Sequence, residues 1–175
     1  MNHLETLIKQ YYEWQGYVVR CNVKVGPRPG GGYEGELDIV AYHHSSPPNF
    51  SAAHLLHIEP SLDALSWEAR EKRFERKFGI GRKYIFKDVF PWLHPGTPLE
   101  QIAILITPGR EDIAGGKIIS IDQFIAEVKA KIQEVGIMAK HAIPEQYDVL
   151  RTIQMLTCGY YRIVASNVDS KATQL

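Results

Sequence analysis

Two apolar segments of the chain are patterned as buried strands, and each carries a carboxylate within its apolar run. The segment ELDIVAYH (36–43) contains Asp38, and the segment HLLHIEPS (54–61) contains Glu59. Taking a carboxylate out of water without a partner costs several kcal/mol, so a buried one is normally accompanied by a cation, a metal ion or a proton. The fold of this chain therefore has to supply one of these three beside Asp38 and Glu59.

The periodicity of the whole chain predicts an α/β domain. Alternating or continuous apolar runs predict strands, and apolar residues at helical spacing predict helices. The predicted elements are a helix at 4–15, strands at 17–25, 36–43 and 54–61, a helix at 62–79, strands at 101–108 and 117–121, a helix at 121–136 and a helix from Pro144 toward Cys158. This order predicts a mixed central sheet flanked by helices on both faces, within a single domain at 1–164 and a flexible tail at 165–175. In the second helix, Asp63 is the expected N-cap and Gly79 the expected stop.

Composition narrows the class of protein. The chain has 175 residues, 45% of them hydrophobic, with 20 basic and 20 acidic side chains. No apolar run approaches the length of about 20 residues that a membrane helix needs, so no membrane partner is expected. Two isolated cysteines, Cys21 and Cys158, form no C-x-x-C pair and indicate a reducing compartment. We therefore expect a cytoplasmic protein.

The two carboxylates are expected to converge if their strands are antiparallel neighbours. Side chains alternate along a strand, so Glu36 shares a face with Asp38, and His57 and Ser61 share one with Glu59. Two carboxylates brought together repel each other, which raises a pKa or recruits a cation.

A magnesium ion is one candidate for that cation. It binds through one or two carboxylates, a backbone carbonyl and waters, and the carbonyl of Pro60 is the expected third protein ligand. The alternative from the residues alone is that Asp38 only pairs with Arg20 or Lys24 across the sheet. His57 is likewise either a contact to water or phosphate or a satisfied strand histidine.

The element order and the phrase GELDIVA resemble the PD-(D/E)XK nuclease superfamily over roughly residues 1–125. GELDIVA is most similar to the archaeal Holliday-junction resolvase and Mrr-type restriction branches, and GKIISIDQFIAEV looks like the end of Mrr-like domains. The resemblance implies a restriction-endonuclease-like fold and a Mg²⁺ or Mn²⁺ cofactor. Position by position, Asp38 matches the motif aspartate and Glu59 the acidic residue of (D/E)-x-K. Glu5 matches an additional metal contact of many relatives, and Glu36 is a further supporting ligand.

The chain departs from this motif at the lysine, where the sequence has Ser61. In active relatives that lysine helps to position or activate the attacking water and offsets charge on the phosphate. Serine can hydrogen-bond a water but brings no positive charge. Some members of the superfamily place the lysine on a neighbouring element, and here Lys72, Lys24 and Arg70 are candidates. Lys72 is the substitute we select, together with Ser61, as part of the expected catalytic set.

A basic segment follows the second carboxylate. Residues 68–87 contain eight basic side chains and three glutamates, a net charge of +5 in a chain that is neutral as a whole. Such a segment can contact a phosphate backbone without reading sequence. The expected nucleic-acid contacts are Arg70, Arg73, Lys77, Arg82 and Lys83. The alternative is a solvated helix face with i,i+4 pairs such as Glu68–Lys72.

The sequence therefore predicts a metal-dependent DNA nuclease or DNA-processing protein of the PD-(D/E)XK type. The alternative is a nuclease fold that has lost catalysis and acts as a nucleic-acid-binding or protein-interaction module. DNA is the expected partner. A homodimer is also expected, because related resolvases and restriction enzymes often dimerise.

Overall fold

The computed structural model of the protein describes residues 2–44 and 54–161, and the tail predicted at 165–175 lies outside them. The chain divides into two compact units, Met1–Ala126 and Glu127–Leu175. The helices are α1 (His3–Trp14), α2 (Trp67–Tyr84), a π-helical turn η1 (Ile85–Val89), α3 (Ile121–Val135) and α4 (Asp148–Cys158). The strands are β1 (Val18–Pro27), β2 (Tyr33–His43), β3 (His54–Ser61), β4 (Leu99–Leu105), β5 (Asp112–Ile113) and β6 (Gly116–Ser120).

The described strands form one six-stranded sheet in the order β1-β2-β3-β4-β6-β5. The pairs β1–β2, β2–β3 and β5–β6 are antiparallel, whereas β3–β4 and β4–β6 are parallel. A parallel pair requires a crossover connection, and α2 is the helix that connects β3 to β4. The predicted α/β class with a mixed sheet flanked by helices is confirmed.

The register of β2 and β3 brings the two carboxylates together. Ile39 lies opposite Ile58, and Val40 lies opposite His57. One step further along the antiparallel pair, the backbone N–H of Asp38 donates to Glu59 Oε1 at 3.2 Å. The expected convergence of Asp38 and Glu59 is therefore present in the structure.

Helix α2 differs from its prediction at both ends. It begins at Trp67, and its N-cap is Ser66, whose hydroxyl accepts from the Ala69 N–H at 3.4 Å. Asp63, the residue predicted as the cap, instead forms an ion pair with Arg73. The helix also continues through Gly79 to Tyr84.

Glycines allow α2 to lie close to the sheet. A Cβ atom at Gly81 would come within 2.3 Å of His57 Nδ1, and one at Gly35 of β2 would come within 2.6 Å of Ile80. Real Cβ atoms do not make contacts this short, so larger residues at either position would push the helix away. The prediction that Gly79 ends the helix was wrong, because α2 continues through it to Tyr84, and the glycine required by close packing is Gly81.

A buried amide holds together the described part of the second unit. Gln154 on α4 is fully buried, and its Oε1 accepts from the Ile143 N–H at 3.0 Å. Its Nε2 donates to the carbonyls of Gly136 at 2.9 Å and His141 at 2.8 Å. One side chain thus fixes the irregular segment between α3 and α4. Helix α4 begins at Asp148, so the prediction that it begins at Pro144 was wrong by one turn.

Candidate active site

Lys77 of α2 joins the two carboxylates. Its Nζ lies 2.8 Å from Asp38 Oδ1, 2.8 Å from Glu59 Oε2 and 3.0 Å from the backbone carbonyl oxygen of Glu36. The side chains are largely removed from water: 14% of Lys77, 16% of Asp38 and 2% of Glu59 remain exposed. A strand pair and a helix thus build a compact cluster of two negative charges and one positive charge.

The electrostatics of this cluster are unequal at its two carboxylates. Burial, a hydrogen bond to Glu59 and the negative charge of Glu59 raise the pKa of Asp38 to about 7. At Glu59, burial alone would raise the pKa, but hydrogen bonds with His57 and Asp38 and the charge of Lys77 outweigh it and lower the pKa to about 2. Glu59 is therefore the fixed anion, and Asp38 is the carboxyl that holds a proton up to neutral pH.

Lys77 remains the cation of the cluster. Burial by itself would lower the pKa of its ammonium group, but the charge of Glu59 and its bonds to both carboxylates reverse this and raise the pKa. One lysine balances only one carboxylate. Burial first, and then the hydrogen bond and negative charge of Glu59, therefore keep the pKa of Asp38 raised despite Lys77.

A chain of hydrogen bonds fixes the orientation of Glu59. Arg82 Nη1, which can only donate, bonds Gln101 Oε1, so the Gln101 amide nitrogen points the other way. That Nε2 donates to the Phe78 carbonyl at 2.9 Å and to His57 Nδ1 at 3.0 Å. Because His57 Nδ1 accepts, its proton is on Nε2, which donates to Glu59 Oε1 at 2.8 Å. His57 is therefore held as the neutral Nε2–H tautomer.

His57 acts on the site through Glu59. It is fully buried, as expected for a satisfied strand histidine. The alternative expectation, that its side chain contacts a solvent water or a phosphate directly, is wrong. Its contact with the site is the hydrogen bond to one carboxylate oxygen of Glu59, whereas Lys77 binds the other oxygen. Such an outer partner typically sets the direction and basicity of a metal-binding group.

The donor set fits a small divalent cation. In proteins, Mg²⁺ is usually bound by one or two carboxylate ligands, and water molecules complete its coordination. Within residues 2–44 and 54–161, no group of three or more His, Cys, Asp and Glu side chains is arranged to hold a metal ion. A metal ion held by Asp38 and Glu59 therefore stays a prediction.

The other expected ligands, Glu5, Glu36 and Pro60, have the following surroundings in the structure. Glu5 forms a capping box at the start of α1, where its carboxylate accepts from the N–H and the side-chain amide of Asn2 at 3.1 and 2.7 Å. Glu36 is exposed and offers Lys77 its backbone carbonyl. Pro60 lies in β3 opposite Ile104 of β4, and its carbonyl as a ligand stays a prediction.

Ser61, one of the expected catalytic residues, is hydrogen-bonded to neighbouring side chains. Its hydroxyl donates to Asp63 Oδ2 and accepts from Arg73 Nη1 at 3.4 Å. Arg73 also pairs with Asp63, so the three residues form a separate polar cluster after the end of β3. A hydroxyl whose proton is used by Asp63 is poorly placed to orient a water.

Lys72 is not the lysine that reaches the carboxylates. It is 72% exposed and pairs with Glu68 at 2.8 Å, which confirms the predicted i,i+4 pair. Lys72 and Lys77 are five residues apart, a rotation of about 500° along an α-helix, so they point in different directions. The lysine that reaches both carboxylates is Lys77, which the sequence predicts as a nucleic-acid contact.

The other predicted nucleic-acid contacts are engaged within the chain. Arg70 is 7% exposed, contacts the Asp63 carbonyl at 3.2 Å and stacks near Trp67, so burial removes it from a DNA-facing surface. Lys83 binds both carboxylate oxygens of Glu34 at 2.9 Å, while Arg73 and Arg82 are bonded as described above. Arg82 and Lys83 nevertheless remain exposed.

A signal for Lys77 is present in the sequence. Phe74, Phe78 and Gly81 of α2 are buried at spacings of four and three, and Lys77 falls inside this stripe whereas Lys72 falls outside it. A lysine within a buried stripe needs an anionic partner. His57 and Gln101 give no comparable signal, because their bonds depend on how β3, β4 and α2 meet.

Comparison with known proteins adds no assignment: no protein-family model, no curated protein and no solved structure matches the chain. Among the described residues, no helix has the length and apolar character needed to cross a membrane.

Proposed function

We propose that this protein is a divalent-metal-dependent DNA nuclease of the PD-(D/E)XK type, with a restriction-endonuclease-like fold in which Lys77 replaces the motif lysine. The observation that carries the proposal is the convergence of Asp38, Glu59 and Lys77, with Nζ 2.8 Å from an oxygen of each carboxylate. These are the residue types that the motif places together. Only the element that supplies the lysine differs.

The topology of the first unit supports this proposal. Three antiparallel strands, β1 to β3, are followed by the crossover helix α2 and the parallel strand β4. The carboxylates lie on the second and third of these strands, and the lysine on the helix that follows. This agrees with the element order on which the resemblance to the superfamily rests.

Each residue has a defined role in phosphodiester hydrolysis. When bound, a divalent cation would supply an activated water and neutralise charge on the phosphate and the leaving oxygen. Asp38 and Glu59 would hold that cation, and Asp38 would give up its proton as it does so. Lys77 would keep a positive charge beside the phosphate, and His57 would hold Glu59 in one orientation.

The non-catalytic alternative is favoured by one observation. Lys77 already lies against both carboxylates, so the ion pairs partly satisfy the cluster without a metal. A protein that had lost catalysis while keeping its fold could retain these contacts for stability. In that case the chain would bind DNA without cleaving it. Dimerisation stays a prediction. A cytoplasmic location also stays a prediction, and the free thiols of Cys21 and Cys158 agree with the reducing compartment that it implies.

The proposal is tested by DNA cleavage with two lysine variants of the same helix. The full chain is incubated with Mg²⁺ or Mn²⁺ and a panel of supercoiled plasmid, single strand, flap and four-way junction. We expect Lys77→Met to lower the rate by about 10²–10³-fold, the scale of losing one charge at a phosphoryl transition state. Lys72→Met is the matched control and should cleave at the unaltered rate. Asp38→Asn should also abolish cleavage.

Three outcomes discriminate the candidates. Cleavage lost with Lys77→Met and kept with Lys72→Met supports the nuclease with a displaced lysine. Equal losses in both variants would contradict the assignment of Lys77. DNA binding without cleavage of any substrate, in either metal, would replace the nuclease by the binding module.

A further inference from the structure

A cavity of about 570 Å³ opens beside the C-terminal end of α2, away from the two carboxylates. Three basic residues contribute to its wall: Arg82 and Lys83 from α2 and Lys87 from η1. None of its lining residues is acidic. The cavity is therefore a candidate site for an anionic ligand, and its size is within the range of small-molecule sites.

The guanidinium of Arg82 is held in place by a buried partner. Its Nη1 donates to Oε1 of Gln101, a residue that is 7% exposed and itself bonded to Phe78 and His57. The remaining N–H groups of the guanidinium stay available to a ligand. Because the side chain is already ordered, a ligand would lose little binding energy to fixing it.

The two lysines of the cavity differ in their availability. Lys83 binds both oxygens of the Glu34 carboxylate at 2.9 Å, so part of its charge is already compensated. Lys87 is exposed and lies 5.9 Å from the centre of the Tyr84 ring. Arg82 and Lys87 are therefore the principal cations that the cavity offers.

The remaining wall of the cavity is mainly apolar. Phe86, Pro95 and Leu99 contribute carbon surface next to the cations. A flat aromatic base packs well against such a surface, while a phosphate suits a guanidinium and an ammonium group. One ligand class combines both features.

We propose that this cavity binds a nucleotide, with its phosphate on Arg82 and Lys87 and its base against Phe86, Pro95 and Leu99. A free nucleotide and the 5′-phosphorylated end of a DNA strand share this chemistry. Binding uses neither Asp38 nor a metal ion, so the inference goes beyond the proposed cleavage and does not depend on it. Arg82 is also the first residue in the chain of hydrogen bonds that runs through Gln101 and His57 to Glu59. The cavity is therefore linked by hydrogen bonds to the residues that orient Glu59.

The test is isothermal titration calorimetry of the full chain in EDTA. The probes are dAMP, dATP, inorganic phosphate and a tetranucleotide with or without a 5′-phosphate. We expect Arg82→Met and Lys87→Met each to weaken dATP binding at least tenfold. Arg76→Met is the matched control, since Arg76 is an exposed basic residue of the same helix that does not line the cavity, and it should change the Kd less than twofold. If Arg82→Met fails to fold because the Gln101 contact is lost, dATP binding is still tested by Lys87→Met, since Lys87 lines the cavity and does not bond Gln101.

The outcomes decide the proposal and identify the source of the nucleotide. Tighter binding of the 5′-phosphorylated tetranucleotide than of dAMP assigns a DNA end, and the reverse assigns a free nucleotide. The proposal is overturned if no probe binds, if Arg76→Met weakens binding as much as Arg82→Met, or if inorganic phosphate binds as tightly as dATP. Loss of binding in Asp38→Asn would also overturn it, because the ligand would then occupy the carboxylate site.

Discussion

Glu59 in the first unit and Gln154 in the second are both buried polar side chains, with 2% and 0% of their surface exposed. Gln154 is neutral and its amide meets three backbone groups. Glu59 is charged. It binds the side chains of His57 and Lys77, lies beside the carboxyl group of Asp38, and accepts one backbone hydrogen bond, from the N–H of Asp38.

This difference distinguishes Gln154, a polar group with a structural role, from Glu59, a candidate functional residue. At Gln154 the bonds of the amide to backbone groups hold a segment of chain in place, with no charge left to balance. At Asp38, burial and the neighbouring Glu59 carboxylate together outweigh Lys77 and raise the pKa to about 7. Excess buried charge at a partly accessible position is characteristic of functional sites.

The largest stability effect is expected at the structural group. Gln154→Leu removes three hydrogen bonds and leaves buried backbone partners unpaired, so the free energy of unfolding should fall by about 3 kcal/mol or more. Met155→Ala, at an exposed neighbouring position, should change it by less than about 0.5 kcal/mol. Urea denaturation of both variants measures this difference. Equal stability of the two would remove the structural role assigned to Gln154.

Two glycines of one helix provide the next test. Gly81→Ala places a methyl group 2.3 Å from His57 Nδ1, so we expect a loss of about 2 kcal/mol in the free energy of unfolding, together with loss of cleavage. Gly79 has nothing within 4 Å of its Cβ position, and Gly79→Ala should stabilise the helix by about 0.5–1 kcal/mol. Thermal denaturation of the pair gives opposite signs if α2 packs on His57 as described. Matching signs would contradict this packing.

The raised pKa of Asp38 predicts a pH dependence of stability. The folded pKa of about 7 lies above the ordinary value of 3.8, so the contribution of Asp38 is complete below about pH 4 and is lost as the pH rises toward 7. Asp38→Asn carries no charge at any pH and should therefore be about 2 kcal/mol more stable than the parent at pH 8. The difference should shrink steadily as the pH falls from 8 to 4.5.

The measurement is urea denaturation between pH 4.5 and 8, above the range in which the lowered pKa of Glu59 contributes. Since that pKa is about 2, the Glu59 contribution is lost only as the pH falls below about 4.5. A constant difference between parent and Asp38→Asn across the series would show that Asp38 does not titrate in this range.

The smallest expected effect is that of the metal itself. Mg²⁺ at several times its Kd should stabilise the folded chain by about 1 kcal/mol at pH 8, where Asp38 is ionised. At pH 5.5 the proton on Asp38 competes with the cation, so the stabilisation should shrink. Thermal shift with Mg²⁺ and with Ca²⁺ measures this, and Asp38→Asn should respond to neither ion. An identical shift in the variant would place cation binding elsewhere.

Much of the sheet could be predicted from the sequence, because its signals are local. Strand β3 has the predicted bounds 54–61, and alternation along β2 and β3 correctly brings Asp38 to Glu59. The two-residue strand β5 and the π-helical turn η1 were missed. Both are too short to leave a periodic pattern, and they depend on the neighbouring elements.

The spacing from Glu59 does not distinguish Lys72 from Lys77, and the only local signal that does is the apolar stripe of α2. Lys72 and Lys77 are on the same helix, and which of them faces the sheet depends on the rotation of that helix in the fold. The rotation is set by the close approach at Gly81 and by the bonds among His57, Gln101 and Arg82. These contacts join residues that are far apart in sequence, so no local pattern records them.

The position of Lys77 on a helix determines when the cluster with Asp38 and Glu59 is complete. A chain whose β2 and β3 have paired but whose α2 has not docked has two carboxylates and no lysine between them. The cluster of two carboxylates and one lysine is therefore complete only in a chain whose helix is seated against the sheet.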